Sequence, residues 1–159
     1  MNDDLSINTY FHDLNKKNSL VNSIVWDIFE DSSGTIWFGT NNGISILSNT
    51  NGRFDFFPIN YQYGNNLLGY EVRDIIETSE GNYWIASQNG AIKYGNNKQL
   101  LEVLNSSQDG KRKLADDNTT KLFEDPKGNI WIASNGGLAI WNINEEKLNS
   151  YSADNTSGK

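Results

Sequence analysis

Gly34, Gly81 and Gly128 stand 47 residues apart, as do Trp37, Trp84 and Trp131, and Gly43, Gly90 and Gly137. A gapless repeat of glycine and tryptophan constrains a fold more tightly than composition does, because every unit must take one local structure and bury itself against its neighbours. Glu30, Glu77 and Glu124 make a fourth column, and Ile28, Ile75 and Leu122 a fifth. The period reaches Tyr10, Phe57, Leu104 and Tyr151. It therefore predicts that the chain opens on the last strand of a preceding unit and continues through three complete ones. The expected divisions are 1–24 for that outer strand and its link, then 25–71, 72–118 and 119–159 for the repeats. A register cut out of phase suggests an excerpt from a longer array, or a first strand that pairs elsewhere.

Each unit reads as four short strands. The first, such as "IVWDIFE", ends in a turn with Asp31, Thr78 or Asp125 at its first position and glycine at its fourth. That pattern fits a type I turn closed by a left-handed glycine. The second strand is centred on the repeated tryptophan and is apolar throughout, as in "TIWFGT" and "NIWIAS", which predicts burial on both faces. Asn42-Gly43, Asn89-Gly90 and Gly136-Gly137 follow, and such pairs can take positive φ at both turn centres. The third strand is "ISILS", "AIKYG" or "LAIWN", and a polar link leads to the fourth. Four antiparallel strands at this period are the signature of a β-propeller blade. The fold expected is all-β: three four-stranded antiparallel blades of 47 residues plus an extra N-terminal strand. A parallel solenoid fits less well because it needs no paired hairpin turns.

Charge and composition narrow the functions. With 13 basic against 20 acidic residues the net charge is −7, which disfavours nucleic acid as a partner, since phosphate contacts need clustered Lys and Arg. The short run Lys111-Arg112-Lys113 reads as a solvated loop. The absence of cysteine excludes disulfides, thiolate metal sites and a cysteine nucleophile. No apolar run approaches bilayer-spanning length, so this segment is expected to make no membrane contact. His12 is the single histidine, so neither a histidine-based metal centre nor a catalytic triad is expected. No cofactor is expected.

The run "EDSSGTIWFGTNNGISIL" followed by "GRFDFFP" resembles the two-component regulator propeller repeat, and "EDPKGNIWIASNGGLAIWN" is an especially close copy. The likeness covers about residues 5 to 152. The second copy departs most, with Thr78 in place of Asp and Tyr83 before Trp84. The resemblance implies a sensor region of bacterial hybrid histidine kinases or related signalling proteins, periplasmic or extracellular, binding a ligand that is often a glycan. It implies that any kinase belongs to other parts of a parent protein. Three blades do not close a ring, so remaining blades of a parent protein or self-association are expected partners.

Repeated residues are poor candidates for a unique chemical role. Trp37, Trp84 and Trp131 read as blade-to-blade packing, and Glu30-Asp31 and Glu124-Asp125 as turn and cap groups, with Asp116-Asp117 read the same way. Trp26 and Trp141 differ, since Arg73 and Thr120 replace the first and Tyr94 and Leu47 the second. In a propeller, the links into the first strands and the turns between second and third strands share one face. That face is expected to carry Trp26, Tyr70, Glu71 and Arg73 from the links, and Asn41, Asn42, Gln88, Asn89 and Asn135 from the turns. Amides, one guanidinium and aromatic rings suit a small polar ligand such as an oligosaccharide. The expected function is non-enzymatic ligand sensing, with a protein-docking propeller and a carbohydrate-active enzyme as alternatives.

Overall fold

A computed structural model describes residues 7–48, 52–57, 71–108 and 110–151. Among these residues twelve strands form three separate four-stranded antiparallel sheets. The first holds β1 (Val25–Glu30), β2 (Ile36–Thr40), β3 (Gly43–Leu47) and β4 (Phe54–Phe57). The second holds β5 (Val72–Glu77), β6 (Tyr83–Ser87), β7 (Gly90–Tyr94) and β8 (Leu100–Leu104). The third holds β9 (Thr119–Glu124), β10 (Ile130–Ser134), β11 (Gly137–Asn142) and β12 (Lys147–Tyr151). Strand order follows chain order in every sheet, and β1, β5 and β9 bring successive sheets together.

The first hairpin of each unit forms as its sequence predicts. Gly34 donates to the Asp31 carbonyl at 2.8 Å, and the equivalent bonds recur from Gly81 to Thr78 and from Gly128 to Asp125. Those glycines take φ of 80, 76 and 81°, where a Cβ would be strained. The second hairpin differs from expectation. Its strands pair Thr40 with Gly43, Ser87 with Gly90 and Ser134 with Gly137, so the turn centres lie one residue earlier than the Asn-Gly pairs suggest. Gly43, Gly90 and Gly137 take positive φ, but the residue before each does not. A hydroxyl braces this form: Thr40 Oγ1 accepts from Asn42 N–H at 3.1 Å and donates to the Gly43 carbonyl at 2.8 Å. Ser87 repeats both bonds with Asn89 and Gly90.

The core lies between sheets. Trp37, Ile44 and Phe57 of the first sheet pack against Ile75, Tyr83, Ile85, Ile92, Tyr94 and Val103 of the second. Trp84, Ala86, Ala91 and Leu104 then meet Leu122, Ile130, Ile132, Ala139, Trp141 and Leu148 of the third. Trp37 and Trp84 are buried, as their repetition predicts, whereas Trp131, whose sheet has no following sheet against it among the described residues, is half-buried. Each fully buried apolar side chain contributes about 1.5–3 kcal/mol, so the two junctions, more than any single sheet, hold the array together.

The extra N-terminal strand is not seen among residues 7–24, which run as coil and turns. An outer strand needs the third strand of its own unit as partner, and no such strand lies against these residues among those described. Tyr10 instead packs edge-on against Phe54, with centroids 5.3 Å apart, while Leu20 is buried and Val21 N–H donates to Ser45 Oγ at 2.9 Å. His12 is exposed, and its Nδ1 lies 2.7 Å from the Leu20 carbonyl, so the ring donates there.

Candidate functional site

Trp26 and Arg73 stand out in the strand register. Val25 pairs with Thr40 and Asp27 with Gly39, leaving Trp26 as an additional residue in β1. Val72 and Asp74 flank Arg73 in the same way, and Thr119 and Lys121 flank Thr120. Each first strand therefore carries a β-bulge at one equivalent position. A bulge bends its strand and re-aims the extra side chain. The column that breaks the sequence repeat is thus the column the backbone singles out.

The turns meet these strands through a repeated bond. Asn41 N–H donates to the Ile24 carbonyl at 3.1 Å, Gln88 to Glu71 at 3.2 Å and Asn135 to Asn118 at 3.1 Å. Links and turns therefore share one end of the blades, as expected. Side-chain contacts join Trp26 Nε1–H to Asn41 Oδ1 at 3.4 Å, and Arg73 Nε to Glu71 Oε1 at 2.5 Å. Asn42, Gln88 and Asn135 are exposed at the same end, and Asn89 is half-buried. Tyr70 lies outside the described residues. Trp26, at 53% exposed, offers an open indole face beside an amide.

Beneath this surface runs a column that the sequence reading missed. Asp27 Oδ2 accepts from Ile75 N–H of the next sheet at 2.9 Å, and Asp74 Oδ2 accepts from Leu122 N–H at 2.7 Å. In the third unit the position is Lys121, whose ammonium pairs with Asp74 Oδ1. Burial pushes the Asp27 carboxyl above its usual range, aided by the Asp74 charge and opposed by the Ile75 amide and Lys121. The hydrogen bond to Asp74 raises Lys121. The 47-residue spacing of Asp27 and Asp74 was the available signal.

The glutamate column acts at the other end. Ser32 N–H and Oγ–H donate to Glu77 at 2.6 and 2.7 Å, and Ser79 repeats both bonds to Glu124 at 2.8 and 2.7 Å. These carboxylates latch neighbouring blades. Asp31 and Asp125 organise their own turns, as expected, and also accept from Trp37 and Trp131 Nε1–H at 2.8 and 3.2 Å. Asp117 accepts from Ser106 N–H and Asp116 from Asn118 N–H, so that pair also serves loop structure. Arg112 is not simply solvated: it bonds Glu102 at 2.8 Å and lies 5.7 Å over the Trp141 ring.

Stacked four-stranded antiparallel sheets, cored between their faces, are blades of a β-propeller. Residues 19–42, 66–89 and 113–136 match the family model described as two component regulator propeller, so the chain carries three repeats of that family. Its fold matches the extracellular domain of a protein assigned as a hybrid two-component system of B. thetaiotaomicron, with TM-score 0.69 and 21% identity. That match covers 91% of this chain and 19% of the other, so the chain spans about a fifth of that domain's length. PorZ, a surface component of the type-IX secretion system of Porphyromonas gingivalis, matches at TM-score 0.63 and 20% identity, over 81% of this chain and 18% of PorZ. A streptogramin B lyase matches at 0.60 and 21%, over 85% and 43%. No curated protein sequence matches the chain. A two-component system protein, a secretion component and a lyase share this fold, so function has to be argued from the site.

Proposed function

We propose that this chain is part of the extracytoplasmic sensor propeller of a bacterial signalling protein, and that its bulge-and-turn face binds a small polar ligand of glycan type. The bulge shared by β1, β5 and β9 carries this reading, because it lifts the unrepeated side chains Trp26, Arg73 and Thr120 to one end of otherwise repeated blades. Trp26 supplies a stacking face, the Glu71 and Arg73 pair supplies charged hydrogen bonding, and Asn41, Asn42, Gln88, Asn89 and Asn135 supply amides. The family and the extracellular two-component neighbour support the location and the sensing role. Binding without turnover is the expected chemistry, and further blades of a parent protein, or a second copy, complete the ring.

Calorimetric titration with a panel of neutral and uronate-containing oligosaccharides tests the site. Saturable binding that Trp26→Ala or Arg73→Ala weakens about tenfold or more is expected. Binding that survives both substitutions would move the ligand elsewhere, and capture of another protein through this face would favour a docking propeller. Release of sugar product that Glu71→Gln and Arg73→Ala abolish would favour the enzyme instead.

A further inference from the structure

Two clefts open between successive sheets at the end opposite Trp26, beside the turns that follow β7 and β11. The first has a volume of about 430 Å³ and is walled by Tyr94. The second has about 350 Å³ and is walled by Trp141, which occupies the equivalent position. A lysine lies near a buried tryptophan at each junction. Lys98 Nζ is 5.1 Å from the Trp37 ring centroid, and Lys93 Nζ is 5.9 Å from that of Trp84.

The two clefts differ in their acidic lining, three glutamates in the second and one aspartate in the first. Two of those glutamates, Glu102 and Glu146, hold Arg112 beside the second cleft at 2.8 and 3.8 Å. In the first, Lys98 forms no ion pair among the described residues. Its backbone takes φ 64°, with its N–H donating to the Gly95 carbonyl at 2.8 Å, a left-handed turn conformation that Glu146 also takes, at φ 47°, in the turn after β11. Tyr94 is 2% exposed, and its hydroxyl has no hydrogen-bond partner among the described residues. A buried hydroxyl left unpaired is costly, and such groups in folded proteins call for an explanation.

We propose that this first cleft binds a small organic monoanion with an apolar body. The Lys98 ammonium and the Tyr94 hydroxyl take the carboxylate, and Ile46, Phe57 and Leu100 take the apolar part. Asp55, which also lines the cleft, opposes a second negative charge. The cleft is at the far end from the proposed sensing face, so the two sites fail or succeed independently.

Titration of the whole chain with phenylacetate, followed by amide and indole NMR shifts at Tyr94 and Trp37, tests the assignment. Saturable shifts are expected. Lys98→Gln, at an exposed side chain, and Tyr94→Phe, which removes only the hydroxyl, should each weaken binding, the former by about tenfold as for loss of a charge-assisted hydrogen bond. Phenylacetamide should bind about tenfold more weakly than phenylacetate, and Arg112→Gln beside the second cleft should change nothing. Absence of saturation at millimolar phenylacetate, equal binding of the amide, or unchanged affinity in Lys98→Gln would each overturn the proposal.

Discussion

At the residue scale, one position tests how the first turn works. Asp31 does two tasks: Oδ1 accepts from Ser33 and Thr35 N–H, and Oδ2 accepts from the Trp37 indole. Thr78 keeps the turn through bonds with Asn82 but supplies no acceptor for Trp84, whose buried Nε1–H has no partner among the described residues. Thr78→Asp is therefore expected to stabilise the protein by about 1 kcal/mol, since an orphaned buried donor costs about 1–3 kcal/mol. Urea unfolding measures it, and an unchanged midpoint would mean the new carboxylate fails to reach the indole. Asp125 shows the same device through its pKa: bonds from the Asn129 side chain, the Trp131 indole and nearby amides outweigh desolvation and hold it down to about 2. A carboxyl lowered by folding adds stability above its unfolded pKa, and that contribution disappears as pH falls through the folded value. Stability should thus decline between the ordinary 3.8 and about 2, and Asp125→Asn should flatten that part of the pH profile of urea midpoints.

At the element scale, blade stacking rests on more than apolar area. Asp74, 3% exposed, fixes the Leu122 amide of the next sheet and holds Lys121. Asp74→Ala would orphan that amide while leaving the exposed Lys121 ammonium to water. The expected cost is about 2–3 kcal/mol, from the buried, charge-assisted bond lost. Amide exchange at Leu122 should quicken more than at Ile75, which uses Asp27 at the other junction; equal quickening at both would count against a local clamp. The sequence displayed the strands, because their glycines and tryptophans repeat, but it did not display the bulges. A bulge depends on which partner residues pair across two strands, and neither strand states that register alone.

At the scale of the whole molecule, the array has two apolar ends. Ile28 is 67% exposed although its equivalents Ile75 and Leu122 are 2% and 6% exposed. On the opposite side Phe123 and Tyr151 are 61% and 57% exposed, whereas Phe57 and Leu104, equivalent to Tyr151, are 2% and 0% exposed. Faces like these invite another blade. A second copy docking head to tail would lack the internal latch, because Pro126 stands where Ser32 and Ser79 donate, leaving Glu30 without that partner. The chain alone is therefore expected to associate weakly in sedimentation velocity. Phe123→Glu should suppress that association, and Pro126→Ser should strengthen it; no response to either would place the contact elsewhere.

The sequence by itself determined the period, the four strands per unit, the first hairpin turns and the tryptophan packing, because these are set by local conformation and by apolar patterning that recurs every 47 residues. It also placed links and turns on one face, since strand count fixes which connections share an end. Only the tertiary structure decided that Trp26 and Arg73 ride on bulges, that Asp27 and Asp74 clamp the next sheet, and that Tyr94 and Lys98 line one cleft. Those features exist only where residues far apart in the chain meet, and their hydrogen bonds, burial and charge pairing depend on that meeting.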